Sequence, residues 1–195
     1  MSDKKAIPSD TGHAPAVEKF QLMSASEIDR TLVRLAHEIL ERNNGIENLV
    51  LVGIERRGVP LAERLAQTIG GIESATPPVE RLDTSSYRDD LSAPGPRPAP
   101  GSVPLRFSVD GKKVILVDDV LFTGRTTRAA LEALLAFGRP QRVELCVLID
   151  RGHRELPILG NYVGRTLQTS GTEVVEVRLK EVDGEDRVVL CETGK

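Results

Sequence analysis

The stretch VILVDDVLFTGRT, Val114 to Thr126, decides how this chain is read. Four apolar residues run into Asp118-Asp119, and a continuous apolar run is the signature of a parallel strand buried on both faces. Open α/β sheets bind ligands at the carboxyl ends of such strands. Two carboxylates placed there can accept hydrogen bonds from vicinal hydroxyls. Immediately beyond, Thr123-Gly124-Arg125-Thr126-Thr127 offers backbone N–H groups, hydroxyls and the positive end of a helix, a set that suits a phosphate. A diol and a phosphate held side by side describe a ribose 5-phosphate.

Each half of this pattern has another reading. An acidic pair at a strand end also occurs at the Mg²⁺ site of receiver domains and in the second motif of P-loop NTPases. No G-x-x-x-x-G-K-[ST] occurs in the chain, which argues against the NTPase. The phosphate-like turn directly after the acidic strand argues against the receiver. Together the two halves resemble the PRPP-binding motif of the type I phosphoribosyltransferases.

Outward from the motif, strands and helices alternate. Residues 48–54 (NLVLVGI) form a second buried strand, followed by Glu55-Arg56-Arg57-Gly58 and an apolar-striped helix expected to stop at Gly70-Gly71. Gly58 would let the backbone approach a ligand, and the helix N–H groups with Arg57 would favour an anion there. Upstream, Ser24 and Glu27 have capping-box spacing before a helix striped by Ile28, Leu32, Leu35, Ala36 and Ile39. His37 in that helix reads as a structural surface residue. A short strand at Val79–Leu82, the motif strand at 113–117, a helix over 125–137 with Leu131, Leu134 and Leu135 inward, and a strand at Arg142–Asp150 follow. Residues 173–180 alternate as an edge strand, with Val188–Leu190 beside it. The expected fold is α/β: a twisted, mostly parallel sheet flanked by helices, in one domain from residue 20 to 195. Residues 1–19 lack periodicity and read as a disordered extension. Residues 86–106 carry five prolines and two glycines, which suits a flexible flap over a reacting centre.

Composition sets limits. A chain of 195 residues suits one domain, and a net charge of −3 argues against indiscriminate nucleic-acid binding without excluding a local basic face. Cys146 and Cys191 are no disulfide framework or zinc site. No apolar run is long enough to span a membrane, and the N-terminus lacks a signal-peptide core. A cytoplasmic protein is expected.

The chemistry follows from these groups. Asp118 and Asp119 would orient the diol and steady charge developing on the sugar. Arg57 and Arg88 would stabilise departing pyrophosphate, with Mg²⁺ entering through the substrate's hard oxygens and touching the protein, if at all, through Asp118 and Asp119. In purine-type transferases resembling this motif an aspartate stands where Phe122 is. A ring can stack on a base but cannot exchange its proton, which favours a pyrimidine.

Further segments narrow the resemblance: LVGIERRG at 51–58, YRDDL at 87–91, AHEILERN at 36–43, and above all DRGHRELPI at 150–158. With the tail at 175–188, the chain from about 20 to 192 resembles the family of bifunctional pyrimidine-operon attenuation regulators that are also uracil phosphoribosyltransferases. The resemblance implies a type I phosphoribosyltransferase fold with a small C-terminal hood, and conversion of uracil and PRPP to UMP and pyrophosphate. It implies binding of a pyrimidine-operon leader mRNA, promoted by UMP or UTP, and a homodimer or higher oligomer. The implied PRPP set is Arg56, Arg57, Gly58, Asp118, Asp119 and the turn Thr123 to Thr127, with Arg88 on the flap. For the base it implies Phe122 with backbone around Tyr162 and Val163. For RNA it implies Arg34, Arg56, His153, Arg154 and Arg165. Arg56, Leu159 and Arg165 depart from the family's common threonine, basic residue and lysine.

Overall fold

The computed structural model describes residues 17–84 and 108–193. Expectations for residues 1–16 and for the flap with Tyr87 and Arg88 lie outside the described residues. In chain order the elements are β1 Val17–Ser24, α1 Ala25–Asn43, β2 Leu49–Ile54, α2 Gly58–Glu73, β3 Val79–Leu82 and β4 Lys113–Leu121. They continue with α3 Arg125–Leu135, β5 Arg142–Asp150, β6 Tyr162–Thr166, β7 Glu173–Arg178, α4 Lys180–Asp183 and β8 Arg187–Glu192.

Five strands make an all-parallel sheet in the order β3-β2-β4-β5-β6. Its central strands are apolar runs because both faces are covered. One face packs Leu51, Ile115 and Leu148 against α1 and α2; the other packs Val52, Leu116 and Val147 against α3. Ile28, Leu35, Ile39, Leu65 and Ile69 are fully buried, each worth about 1.5–3 kcal/mol of transfer free energy. The expected capping box starts α1, the Ser24 N–H donating to the Glu27 carboxylate at 2.8 Å, and His37 lies on the exposed face.

Both chain ends build a second, antiparallel sheet, β1-β8-β7. The expected C-terminal hood therefore includes an N-terminal strand. β1 begins at Val17, inside the stretch expected to be irregular, and five of its eight residues are exposed. With so little buried, it carries no period to read. β6 (YVGRT) is equally silent in sequence, being five residues with a glycine. α2 runs through Gly70 and Gly71 to a left-handed Ser74. Gly70 serves close packing instead, since a Cβ there would meet Thr76 Oγ1 at 2.3 Å. α3 ends at Leu135, which is 55 % exposed rather than inward; Thr127, Ala130, Ala133 and Leu134 form the buried stripe.

Candidate active site at the carboxyl edge of the sheet

β4 outruns its neighbour β2. The β2–β4 ladder ends at Gly53 opposite Val117, whereas β4 stays paired with β5 as far as Leu121 opposite Asp150. Asp118 and Asp119 thus lie within the strand's last four residues, not beyond its tip, and border a notch left by β2. The winding also reverses here, because β3 lies on one side of β2 and β4 on the other. Such a switch point is where open sheets take ligands. Asp118 is 7 % exposed, and its Oδ1 accepts the Asp119 N–H at 2.9 Å. Asp119 Oδ1 accepts the Val120 N–H at 2.9 Å. Desolvation pushes the Asp119 carboxyl above its ordinary range, and the Arg57 guanidinium opposes that shift. The two carboxylates are held in fixed orientation by their own backbone.

The far wall of the notch is residues 55–58 and the start of α2. Gly58 lets α2 seat on β4, since a Cβ there would lie 2.3 Å from the Val117 carbonyl oxygen. The Glu55–Arg56 peptide is cis. Arg57 forms a two-pronged pair with Asp183 of α4, its Nε and Nη2 donating at 3.0 and 2.8 Å. Burial would raise the Asp183 carboxyl, but hydrogen bonds from Arg57 and the Leu179 N–H hold it low. Arg64 grips Glu181 and Asp186 in the same way. The hood is thereby fastened to α2 beside the notch.

Beyond Asp119, residues 120–127 wall a cavity of about 130 Å³. That is small beside the roughly 300–1,000 Å³ of an ordinary small-molecule cleft and suits an anionic group. Gly124 turns the chain at φ 90°, where a side chain would be strained. Thr123 Oγ1 accepts the Arg125 N–H, and the Thr123 carbonyl accepts the Glu155 and Leu156 N–H groups from behind. Thr126 and Thr127 line the cavity, Thr127 from a buried position. Arg125 pairs with Glu155 at 2.7 Å.

Phe122, 40 % exposed, stands at the other end of this loop. Tyr162 and Val163 are not beside it. Tyr162 pairs with Cys146, four residues before Asp150, so it sits roughly 13 Å down the sheet from the carboxyl edge at strand rise. Its ring is fully buried, and its hydroxyl accepts from Asn43 Nδ2 and donates to Glu144. The Val163 carbonyl is taken by Arg34. The side chains that do surround Phe122 are Arg151, its guanidinium 4.1 Å above the ring, and His153, whose ring centroid is 6.0 Å away edge-on. Sequence reasoning missed Arg151, which lies between two motif residues that draw attention for other reasons. We expect Tyr162→Phe to cost about 1 kcal/mol of stability by denaturant unfolding and to leave the KM for a base unchanged. A large rise in that KM would return Tyr162 to the site.

The expected RNA-facing cations separate into groups. Arg34 and Arg165, with Arg30, line a groove of about 310 Å³ between α1 and β6. Arg34 donates to the Val163 and Gly164 carbonyls, and Arg165 to Leu22. Arg56 stands apart on the exposed 55–58 turn. Arg154 is a staple, donating to the carbonyls of Leu121, Phe122, Gly152 and Ile158 and to the Asp150 carboxylate. His153 Nε2 is spent on the Thr169 carbonyl at 2.6 Å. Arg154 and His153 fix the loop around Phe122 rather than project from a free cationic face.

A parallel five-strand sheet with an acidic strand end, an anion cradle and a hood defines a type I phosphoribosyltransferase. The phosphoribosyl transferase domain family matches residues 23–181. Among solved structures the fold is shared with the hypoxanthine phosphoribosyltransferase of Trypanosoma cruzi (TM-score 0.68, 18 % identity, 91 % of this chain and 98 % of that one). One from Staphylococcus aureus is similar at a TM-score of 0.66 and 21 % identity, covering 91 % and 93 %. Curated relatives are nearer in sequence. The bifunctional protein PyrR of Pelotomaculum thermopropionicum is 58 % identical over 180 residues, 92 % of this chain and 99 % of that protein. That of Thermus thermophilus is 55 % identical over 174 residues, 89 % and 96 %. The chain belongs to the PyrR family. No helix among the described residues is long and apolar enough to cross a membrane.

Proposed function

We propose that this protein is a uridine-nucleotide-responsive attenuator of pyrimidine operons that also converts uracil and PRPP to UMP and pyrophosphate. The observation that carries the reaction is the notch itself: Asp118 and Asp119 stand between the start of α2 and the cavity of residues 120–127. The diol of PRPP meets the carboxylates and its 5-phosphate enters the cavity, taking the N–H groups at the start of α3 and the hydroxyls of Thr123, Thr126 and Thr127. Pyrophosphate departs toward residues 55–58, where Arg57 exchanges Asp183 for the leaving group; Arg56 and Arg88 are assigned to neutralise its charge. The base stacks on Phe122.

Among the described residues no three His, Cys, Asp or Glu side chains form a metal cluster. Asp118 and Asp119 with substrate oxygens nevertheless make the hard, partly substrate-supplied donor set that Mg²⁺ prefers. When bound with PRPP, Mg²⁺ would neutralise charge on the leaving pyrophosphate. Radiolabelled uracil with PRPP tests the reaction, and UMP should form; no UMP under saturating PRPP would end the enzymatic reading.

For RNA, the groove of Arg30, Arg34 and Arg165 is the face we assign, with Arg56 as an outlying contact and homodimerisation joining two grooves. A gel shift of a pyrimidine leader RNA should tighten with UMP. Arg34→Ala with Arg165→Ala should weaken that shift at least tenfold and flatten the dependence of log K on log salt by about 1–2 units. UMP formation should be untouched. An unchanged salt slope would move the RNA to another face, and no shift of the leader RNA with or without UMP would leave a plain salvage enzyme as the better reading.

A further inference from the structure

Arg57 caps α2 and Arg64 follows two helical turns later, so both meet the hood from one side of the helix. Each holds carboxylates of the segment 181–186, but the two clamps are built differently. Arg64, its side chain 18 % exposed, is shared between Glu181 and Asp186, and Asp186 also accepts the Lys180 N–H. Arg57 is 34 % exposed and, among the described residues, pairs with Asp183 alone. The Arg64 clamp therefore fastens the hood whether or not the Arg57 pair is made.

The Arg57 pair is also the one that borders the notch. Desolvation raises the Asp119 carboxyl and the Arg57 guanidinium opposes that shift, which places Arg57 between the acidic strand and the hood. Arg57 Nε and Nη2 both point at the Asp183 carboxylate. Such a fork fits a carboxylate and a phosphate alike, so Asp183 and pyrophosphate compete for the same two donors. Asp183 does not need Arg57 to stay in position, because its Oδ2 also accepts the Leu179 N–H at 2.9 Å.

We propose that Asp183 is an internal competitor for pyrophosphate: it occupies Arg57 in the empty site, is displaced when PRPP binds, and recaptures Arg57 as pyrophosphate leaves. This rests on residues 55–58 taking the pyrophosphate. Asp183 acts through Arg57 and touches no reacting atom, so it is a positioning residue. An apparent affinity falls by the fraction of molecules in which the binding group is free. For a two-pronged but partly exposed ion pair that fraction is about a third to a tenth.

Asp183→Asn tests this by exchanging one oxygen for an amide nitrogen. The amide oxygen at the Oδ2 position still accepts the Leu179 N–H, while the nitrogen at the Oδ1 position sets donor against donor at Arg57 Nη2. The full-length protein is titrated calorimetrically with pyrophosphate and Mg²⁺, and assayed with uracil and PRPP varied separately. The Kd for pyrophosphate and the KM for PRPP should each fall about three- to tenfold, with the KM for uracil unchanged. A pair that merely fastened the hood would give the opposite, because its loss would loosen the site and weaken both ligands. Asp183→Ala, which frees Arg57 without an opposing donor, should tighten both ligands by a similar factor and serves if the Asn variant does not fold. Glu181→Gln, which weakens the Arg64 clamp and leaves Asp183 on Arg57, should tighten neither. Pyrophosphate affinity unchanged or weakened in the folded Asp183 variants overturns the proposal, as does equal tightening in Glu181→Gln. A parent that binds pyrophosphate but makes no UMP overturns the substrate reading instead, and the titrations still decide the role of Asp183.

Discussion

Replacing Asp118 and Asp119 together by Asn should abolish UMP formation, lowering kcat/KM by about 10³-fold or more, the scale on which enclosed electrostatic contacts act in transition states. The fold should survive. Each aspartate accepts a backbone N–H from the next residue through one oxygen, Asp118 from Asp119 and Asp119 from Val120, and an Asn amide oxygen can accept the same bond. What disappears is the charge proposed to face the sugar, and with it the attraction between Asp119 and Arg57. Stability gives an independent check with a definite sign. Desolvation raises the Asp119 carboxyl above the ordinary 3.8, so its ionised form costs the folded state free energy as pH rises through the folded pKa. Asp119→Asn alone should therefore match or exceed the parent Tm at pH 7, with the advantage vanishing below about pH 3.8, where both states are protonated. Full activity in a folded double variant would remove both aspartates from the reaction. A lower Tm for the single variant at pH 7 would mean that the carboxylate is net stabilising.

The parts of the site legible in sequence are those whose chemistry is contiguous. Asp118, Asp119 and Thr123 to Thr127 belong to one strand–turn–helix, where an apolar run and a glycine fix geometry locally. The central strands are readable for a related reason, being buried on both faces and continuous in Val, Ile and Leu. What cannot be read is made by distant partners. Arg57 and Asp183 are 126 residues apart, and nothing in either segment announces the pair. Arg151 gains its meaning from Phe122, Thr169 and Glu173, which meet only when the hood closes on the sheet. Tyr162 is misplaced by sequence because β6 is too short to show a period, so the sheet's edge strand reads as hood. Arg154 and His153 illustrate the same limit: side chains that read as a surface string spend their donors on backbone carbonyls of the folded loop. Residue type is readable in each case, but only the fold decides what each side chain meets.

Gly58→Ala should be the most damaging single methyl that can be added beside the site. The new Cβ would stand 2.3 Å from the Val117 carbonyl oxygen and 3.3 Å from Asp118 Cα. Both obstacles are backbone of the central strand, so no side chain can swing aside; α2 must lift from β4. Overpacking of this kind costs about 1–3 kcal/mol, and at about 2–4 °C of Tm per kcal/mol for a domain this size the melting point should fall by roughly 5–10 °C. Activity should suffer beyond that loss. Arg57 precedes the glycine and Asp118 follows the carbonyl it touches, so lifting the helix widens the notch between the two charges that must act together. A displacement near an ångström at reacting groups can cost about 10²-fold in rate. Gly71→Ala supplies the control, because a Cβ there meets nothing within 4 Å and the position lies in the last turn of α2, where Ala should be neutral or stabilising by at most about 0.5–1 kcal/mol. Thermal melts and kcat on the two variants side by side separate a general effect of adding a methyl to α2 from this one seat. A Gly58→Ala protein with the parent's Tm and kcat would show that the helix does not rest on β4 as closely as described, and the notch would lose the wall against which the leaving group is placed.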